Sequence, residues 1–299
     1  MYACNIIYRL HLCNQYNREI KMKVGIVGHG FVGRALENGI KDNVEKCLID
    51  PKYNNTIKDL KIFLPEIVFL CVPTPMNKDG SQDISILDNI IDELVENSIN
   101  CPIVIKSTVL PDKICEYEKR TPSIIYNPEF LREKTANEDF INSELIIFGG
   151  KRSHTNILEV FYKDFSKCVN KNYIHTDLKT ASFVKYAINT FLATKVTFFN
   201  ELFNLYKKSG AEEDWKIFID AISNDKRIGS SHMNVPGPDG RFGYGGACFP
   251  KDSTAFYEYS KNSNMPLNLL KKSIDLNNEI RGIYKENISR EDEQNIKFD

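Results

Sequence analysis

The amino-acid sequence predicts an α/β fold: a doubly wound parallel sheet over 22–176, then a long connecting helix and a mainly helical second domain over 177–287, then a charged tail over 288–299. Three observations predict it. Short apolar, β-branched runs alternate with helical patterns through the first half, as in strands joined by crossover helices. Residues 177–209, 33 in all, contain no Gly or Pro and repeat their apolar side chains at helical spacing. At 299 residues the chain is long enough for two packed units, each with its own core.

Composition narrows the function classes. Hydrophobic content of 42% with 26% charged residues is ordinary for a globular protein. Thirty-nine basic against forty acidic side chains leave a formal charge of −1 and no electrostatic footprint for nucleic acid or an anionic membrane. Small-molecule chemistry is favoured. No apolar run approaches the roughly 18 to 20 residues of a membrane span. The eight cysteines are scattered, without a Cys-x-x-Cys pair or a ligand-like Cys/His spacing, and read as free thiols of a cytoplasmic protein with no zinc or other metal site. Residues 1–21 lack the apolar core and cleavage site of a secretory signal and read as a mobile extension or an upstream-start artefact.

The first strand, 24–27, runs into Gly28-His29-Gly30-Phe31-Val32-Gly33 and then a helical run over 34–40. Strand, glycine turn and helix in that order make a Rossmann-type dinucleotide site. Gly28 permits the tight turn, Gly30 lets the backbone approach a pyrophosphate, and Gly33 lets the helix pack on the strand. The helix N-terminus then faces the phosphate charge. His29 and Phe31 fill variable positions with structural side chains, while Phe31 and Val32 belong to the cofactor-binding turn. A second strand over 44–49 ends at Asp50, twenty residues past Gly30, where an acid bonds ribose hydroxyls and favours NAD over NADP.

Further strands are expected at 67–72, 103–106, 124–126 and 145–148, with a helix over 84–95 among the connections. Pro73-Thr74-Pro75 ends the third strand and Ser107-Thr108 the fourth, so both groups fall on the ligand edge of such a sheet. Thr108 is read equally well as a helix cap before Leu110. After the fifth strand comes Tyr126-Asn127-Pro128-Glu129-Phe130-Leu131-Arg132-Glu133. If this segment turns helically, Glu129 and Glu133 share a face, and paired carboxylates supply a proton acceptor near neutrality.

On the long helix, Lys185 and Asn189 are one turn apart, and a lysine beside an amide can hold an oxyanion. Its length also suits an interface between two copies of the chain. A shorter helix over 212–222 carries Trp215 as a core residue, and the Gly-, Pro- and Asn-rich loop over 224–246 reads as a lid or binding segment. Helices are expected over 253–261 and 266–286, and disorder after Asn287. Gly-Tyr-Gly-Gly-Ala-Cys-Phe-Pro-Lys-Asp over 243–252 sets Cys248 between a glycine turn and the charges of Lys251 and Asp252, surroundings in which a thiol reacts as thiolate.

Together these motifs resemble the nucleotide-sugar dehydrogenases, the UDP-glucose/GDP-mannose dehydrogenase family. The resemblance covers about 23–278 and rests on the glycine fingerprint, Val72-Pro73-Thr74-Pro75, Lys106-Ser107-Thr108-Val109, the run 127–133, Lys185 with Asn189, and the run 243–252. It implies two successive hydride transfers to NAD, most simply taking UDP-glucose to UDP-glucuronate, with Cys248 passing through a thiohemiacetal and a thioester. In that scheme Lys185 and Asn189 hold oxyanions, Asp252 and Thr108 organise water and proton transfer, Glu133 assists hydrolysis, and Glu129 orients Lys185. Phe130, Leu131, Gly245 and Lys251 join the substrate site. Arg227, in Arg-Ile-Gly, reaches the sugar nucleotide across a homodimer interface formed through the long helix. Family members continue into a third, Rossmann-like domain, so the resemblance implies a base pocket that is incomplete here or supplied elsewhere. Lys134 replaces a small residue, and the loop over 230–241 is longer than in UDP-glucose enzymes.

Other readings remain open at this point. A UDP-N-acetylhexosamine or GDP-mannose dehydrogenase would share the same motifs. A β-hydroxyacid-type dehydrogenase would transfer one hydride and have no need of Cys248. A truncated, inactive member that only binds nucleotide or a partner chain would show no turnover.

Overall fold

The computed structural model describes residues 22–298, so the extension expected over 1–21 lies outside the described residues. The chain divides into two compact units, one reaching to Thr74 and resuming over Ile84–Lys185, the other made of Pro75–Asp83 and the chain from Tyr186 onward.

The first unit contains β1 (Met22–Val27), α1 (Phe31–Gly39), β2 (Val44–Ile49), α2 (Ile57–Phe63), β3 (Ile67–Leu70), α3 (Ser85–Glu96), β4 (Ile103–Ile105), α4 (Pro111–Arg120), β5 (Ile124–Tyr126), α5 (Ala136–Ile141), β6 (Ile146–Gly149), α6 (Arg152–Val160) and β7 (Tyr173–Thr176). The strands form one seven-stranded sheet in the order β2-β1-β3-β4-β5-β6-β7. Period-two alternation explains both of its cores. Val24, Ile26, Phe69, Val104, Ile125 and Phe148 face one side, where Leu36, Phe140 and Leu158 cover them. Val68, Leu70, Ile103, Ile105 and Tyr126 face the other, beneath Leu60, Leu87, Ile91 and Ile114. Burial on both faces is why these strands read as continuous apolar runs.

The predicted fold class is observed, with two differences of detail. β5 and β6 pair antiparallel through Tyr126 and Gly149, because the segment joining them carries only a 3-10 turn (Glu133–Thr135) and the six-residue α5 and folds back. The seventh strand was not expected. It is an edge strand whose Ile174 is half exposed, so it lacks the apolar run of a central strand. The strand order reverses between β1 and β3, and the chain leaves the carboxyl ends of these neighbours at Gly28 and Val72, a switch point of the kind where doubly wound sheets bind ligands.

The long helix α7 (Leu178–Lys208) has 31 residues. Its first turns pack Leu178 and Ala181 on the sheet, and from Tyr186 it belongs to the second unit. That unit adds α8 (Trp215–Ser223), α9 (Phe249–Asn262), α10 (Asn268–Arg281) and α11 (Ser289–Asp292). Trp215 is buried with Phe199, Ile219, Met233 and Val235. The disorder expected after Asn287 is corrected by the structure. Glu291 and Ile296 are almost wholly buried, the N–H of Met76 donates to the Gln294 carbonyl, and Glu291 pairs with buried Arg281. Composition suggested a solvated tail because its charges look unpaired when the partner lies ten residues upstream on another helix. No helix among the described residues is long and apolar enough to cross a membrane.

Candidate active site

The glycine turn is built as the fingerprint requires. Gly28 has a φ of +87°, and a Cβ there would stand 2.7 Å from the Cys71 carbonyl oxygen, so the turn closes only without a side chain. A Cβ on Gly33 would strike the Gly28 carbonyl, whereas one on Gly30 would meet nothing within 4 Å. Gly30 also stands at the N-cap of α1 without a side-chain cap and with no acid in the first turn, a setting that favours an anion. Phe31 and Val32 pack their side chains on the sheet. Asp50 Oδ2 accepts the His29 N–H at 2.7 Å and Oδ1 accepts the Lys52 N–H at 3.1 Å. Burial works to raise the Asp50 carboxyl, but these two N–H groups and the Lys52 charge hold it below the usual range. His29 is held between Tyr53 Oη and the Glu37 carboxylate.

The ends of β3 and β4 are tied together. Ser107 Oγ donates to the Val72 carbonyl at 2.6 Å and Thr74 Oγ1 to the Thr108 carbonyl at 3.1 Å. Pro73 stays exposed beside them. Leu110, not Thr108, stands at the N-cap of α4, and Pro111 opens that helix; Thr108 is buried above it.

Glu129 and Lys185 meet in the first unit. Lys185 Nζ donates to the Glu129 carbonyl at 2.5 Å and lies 3.3 Å from Oε1, while Oε2 accepts the Leu131 N–H at 2.7 Å. The Phe130 ring lies 5.2 Å from the ammonium. The expected pairing of Glu129 with Glu133 is corrected: 127–132 is not helical, Glu129 is buried, and Glu133 is exposed on the following 3-10 turn, near Lys134. Asn127 fixes this segment. Its side-chain amide donates to the Ile147 carbonyl at 3.0 Å, and Oδ1 accepts from Tyr162 Oη at 2.6 Å and from Lys106 Nζ at 3.0 Å. Burial lowers the Lys106 ammonium and pushes the neighbouring Cys71 thiol up to about 12.

The second unit holds the other cluster. Asn189 Nδ2 donates to Asp252 Oδ2 at 2.6 Å, and Lys251 Nζ pairs with Asp252 Oδ1 at 2.6 Å, all three residues being buried. Cys248 is partly exposed and stands at the N-cap of the 14-residue α9, where helix N–H groups favour a thiolate. The turn before it is held at four backbone N–H groups. Phe242 donates to Tyr284 Oη at 2.9 Å, Gly243 to Asn200 Oδ1 at 2.9 Å, Tyr244 to Asn277 Oδ1 at 2.6 Å, and Gly246 to Glu291 Oε1 at 3.1 Å. Gly245 is a glycine because a Cβ there would strike Arg281 and Glu291. Arg227 is exposed and forks onto the Asp225 carboxylate.

Sequence reasoning missed these four anchors. A signal existed for one: Leu270, Ile274, Asn277 and Arg281 share one face of α10, so polar groups interrupt an apolar stripe and are buried there.

Comparison with known proteins follows the same division. The family model for the NAD binding domain of UDP-glucose/GDP-mannose dehydrogenases matches residues 34–166, and that for the family's central domain matches 179–279. The chain belongs to this family. It is 36% identical over 275 residues to a UDP-glucose 6-dehydrogenase of Rickettsia bellii, covering 89% of this chain and 59% of that protein. It is 31% identical over 305 residues to UDP-glucose 6-dehydrogenase TuaD of Bacillus subtilis, covering 87% and 63%. The chain thus spans about three-fifths of these relatives. Among solved structures, a UDP-glucose dehydrogenase from Pyrobaculum islandicum superimposes with a TM-score of 0.74 at 23% identity, covering 87% of this chain and 69% of that one, which supports the fold. The match to the family's NAD binding domain falls in the first unit, and most of the match to its central domain falls in the second.

Proposed function

We propose that the chain acts in the NAD-dependent, four-electron oxidation of a nucleotide sugar to its uronic acid, with UDP-glucose as substrate and UDP-glucuronate as product. The observation that carries this reading is Cys248, partly exposed at a helix N-cap, on an anchored turn, in the unit that also buries Asn189, Asp252 and Lys251. A single oxidation of an alcohol needs none of this thiol machinery. The substrate is inferred from the relatives' names.

The first unit fits NAD. Gly30 leaves the space before α1 open, Gly28 and Gly33 close the turn, Asp50 presents an ionised carboxylate for the ribose, and Thr74 and Thr108 lie at the strand ends. NAD, when bound, supplies the hydride acceptor for both oxidations.

The residues then divide the work. The sugar's primary alcohol passes its proton to water ordered by Asp252 and Thr108 and gives up a hydride to become an aldehyde, and Lys185, kept in place by Glu129, stabilises the oxygen that gives up its proton. The Cys248 sulfur adds to the aldehyde carbon, forming a C–S bond, and Asn189 donates to the resulting oxyanion. Loss of the second hydride leaves a thioester on Cys248. Water then cleaves the C–S bond, with Asp252 and Thr108 ordering it and Glu133 accepting a proton, and releases carboxylate and thiol. Lys251 holds the Asp252 charge.

A homodimer belongs to this reading. Phe191, Phe198 and Leu205 recur at seven-residue intervals along α7 and are 67%, 57% and 65% exposed, an apolar stripe suited to the same helix of a second copy. Arg227 would serve the partner's substrate. Peptide mapping after acid quench tests the chemistry. A uronyl nucleotide on the Cys248 peptide, formed with UDP-glucose and NAD, supports the reading, and turnover without a thiol adduct in single-turnover samples overturns it.

A further inference from the structure

We infer that Glu291 is a positioning residue for Cys248, and that the segment Ile288 to Ile296 is a clasp whose buried carboxylate sets the turn that aims the thiol; the inference rests on the reading of Cys248 as nucleophile. Glu291 is fully buried and Arg281 almost so. Taking such a pair out of water is costly, and replacing it by apolar residues is often neutral or stabilising, so stability alone is a weak reason for it.

Its geometry supplies another reason. Glu291 Oε1 lies 2.5 Å from Arg281 Nη2 and accepts the Gly246 N–H at 3.1 Å, while Oε2 accepts the Ile288 N–H at 2.9 Å. Arg281 Nη1 holds Asp239 at 2.7 Å, and its guanidinium lies 5.7 Å from the Tyr284 ring and 5.3 Å from that of Phe298. The carboxylate is therefore fixed from several sides before it reaches the turn.

Gly246 needs that help. Its φ is +77° and a Cβ there would meet nothing within 4 Å, so its conformation is left-handed while no side-chain packing holds it. It lies two residues before Cys248, which opens α9. The other three anchored N–H groups bond neutral side chains from Tyr284, Asn200 and Asn277. Glu291 is the charged anchor among the four, and the N–H it holds, that of Gly246, is the one nearest Cys248 in the chain. Releasing Gly246 lets the Cys248 sulfur swing from the N-terminus of α9, which raises the thiol pKa and misplaces the nucleophile.

The test follows alkylation of Cys248 by iodoacetamide from about pH 6 to pH 10, spanning the unperturbed thiol value, by peptide mass spectrometry so that other thiols do not count. Whole chains carrying Glu291→Ala, Glu291→Asp and Glu291→Gln are compared with the parent, alongside kcat and KM. Glu291→Asp keeps the charge for Arg281 but falls short of Gly246; Glu291→Gln keeps reach and an acceptor. We expect the Ala and Asp forms to alkylate with a profile moved to higher pH and to lose kcat about tenfold or more with KM for NAD unchanged, and the Gln form to recover part of both. A parent-like alkylation profile in folded Glu291→Asp overturns the inference, whatever Glu291→Ala does to folding. Alkylation needs no turnover, so a chain inactive on every sugar that still shows the shifted profile refutes the proposed activity and leaves the clasp standing.

Discussion

Lys185 Nζ and the Glu129 carbonyl oxygen are 2.5 Å apart, with the Glu129 carboxylate 3.3 Å from the same ammonium and both side chains buried. The lysine is thus held from two sides by one residue. Removing that carboxylate strands a buried charge, so Glu129→Ala should cost about 3–5 kcal/mol of stability, while Glu129→Gln, which keeps the volume and an acceptor, should cost less. Urea denaturation monitored on the first unit checks the order.

In the second unit the pair Lys251–Asp252 predicts non-additivity. Asp252→Asn alone leaves the buried ammonium without its counter-charge, whereas Asp252→Asn with Lys251→Met removes both charges. The double variant should be more stable than the single one by about 1 kcal/mol or more, and both should lose turnover by about a hundredfold. Thermal melts and steady-state kinetics on the same samples separate the two effects.

Cys71 predicts an alkaline limit. Burial pushes its thiol from 9.0 up to about 12, so between those values the folded chain holds a proton that the unfolded chain releases. A raised folded pKa gives stability that is complete below pH 9.0 and is lost as pH rises toward 12. Cys71→Ala should therefore lose less stability than the parent from pH 9 to pH 10, by about 1 kcal/mol. A parallel decline in the two proteins would contradict it.

The stripe Phe191, Phe198 and Leu205 predicts that Phe198→Glu shifts the chain from dimer toward monomer. Light scattering at micromolar protein should show the parent at twice its 34.4 kDa chain mass and the variant near 34.4 kDa. A parent that scatters as a monomer would remove the dimer from the proposal.

The sheet was legible because its signals are local: buried strands read as apolar runs, and Gly28, Gly33 and Asp50 mark a turn and a strand end within one short segment. Cys248 and the Lys251–Asp252 pair were legible for the same reason. What escaped were relations across the chain. Local pattern set Glu129 beside Glu133, and only the family resemblance joined it to Lys185; the two meet because 127–132 runs as a loop rather than a helix, fixed by Lys106 and Tyr162 through Asn127. Asn200, Asn277 and Glu291 reach the cysteine turn from three separate segments, and no local pattern names their partner. The tail read as disordered because Arg281, which neutralises Glu291, belongs to the preceding helix.

The central claim is a four-electron oxidation through Cys248, and the ratio of NADH formed to limiting sugar tests it most directly. With UDP-glucose, UDP-N-acetylhexosamines and GDP-mannose offered in turn with excess NAD, the account predicts two NADH per UDP-glucose and none from the Cys248→Ala variant. One NADH per sugar, undiminished in Cys248→Ala, would contradict it.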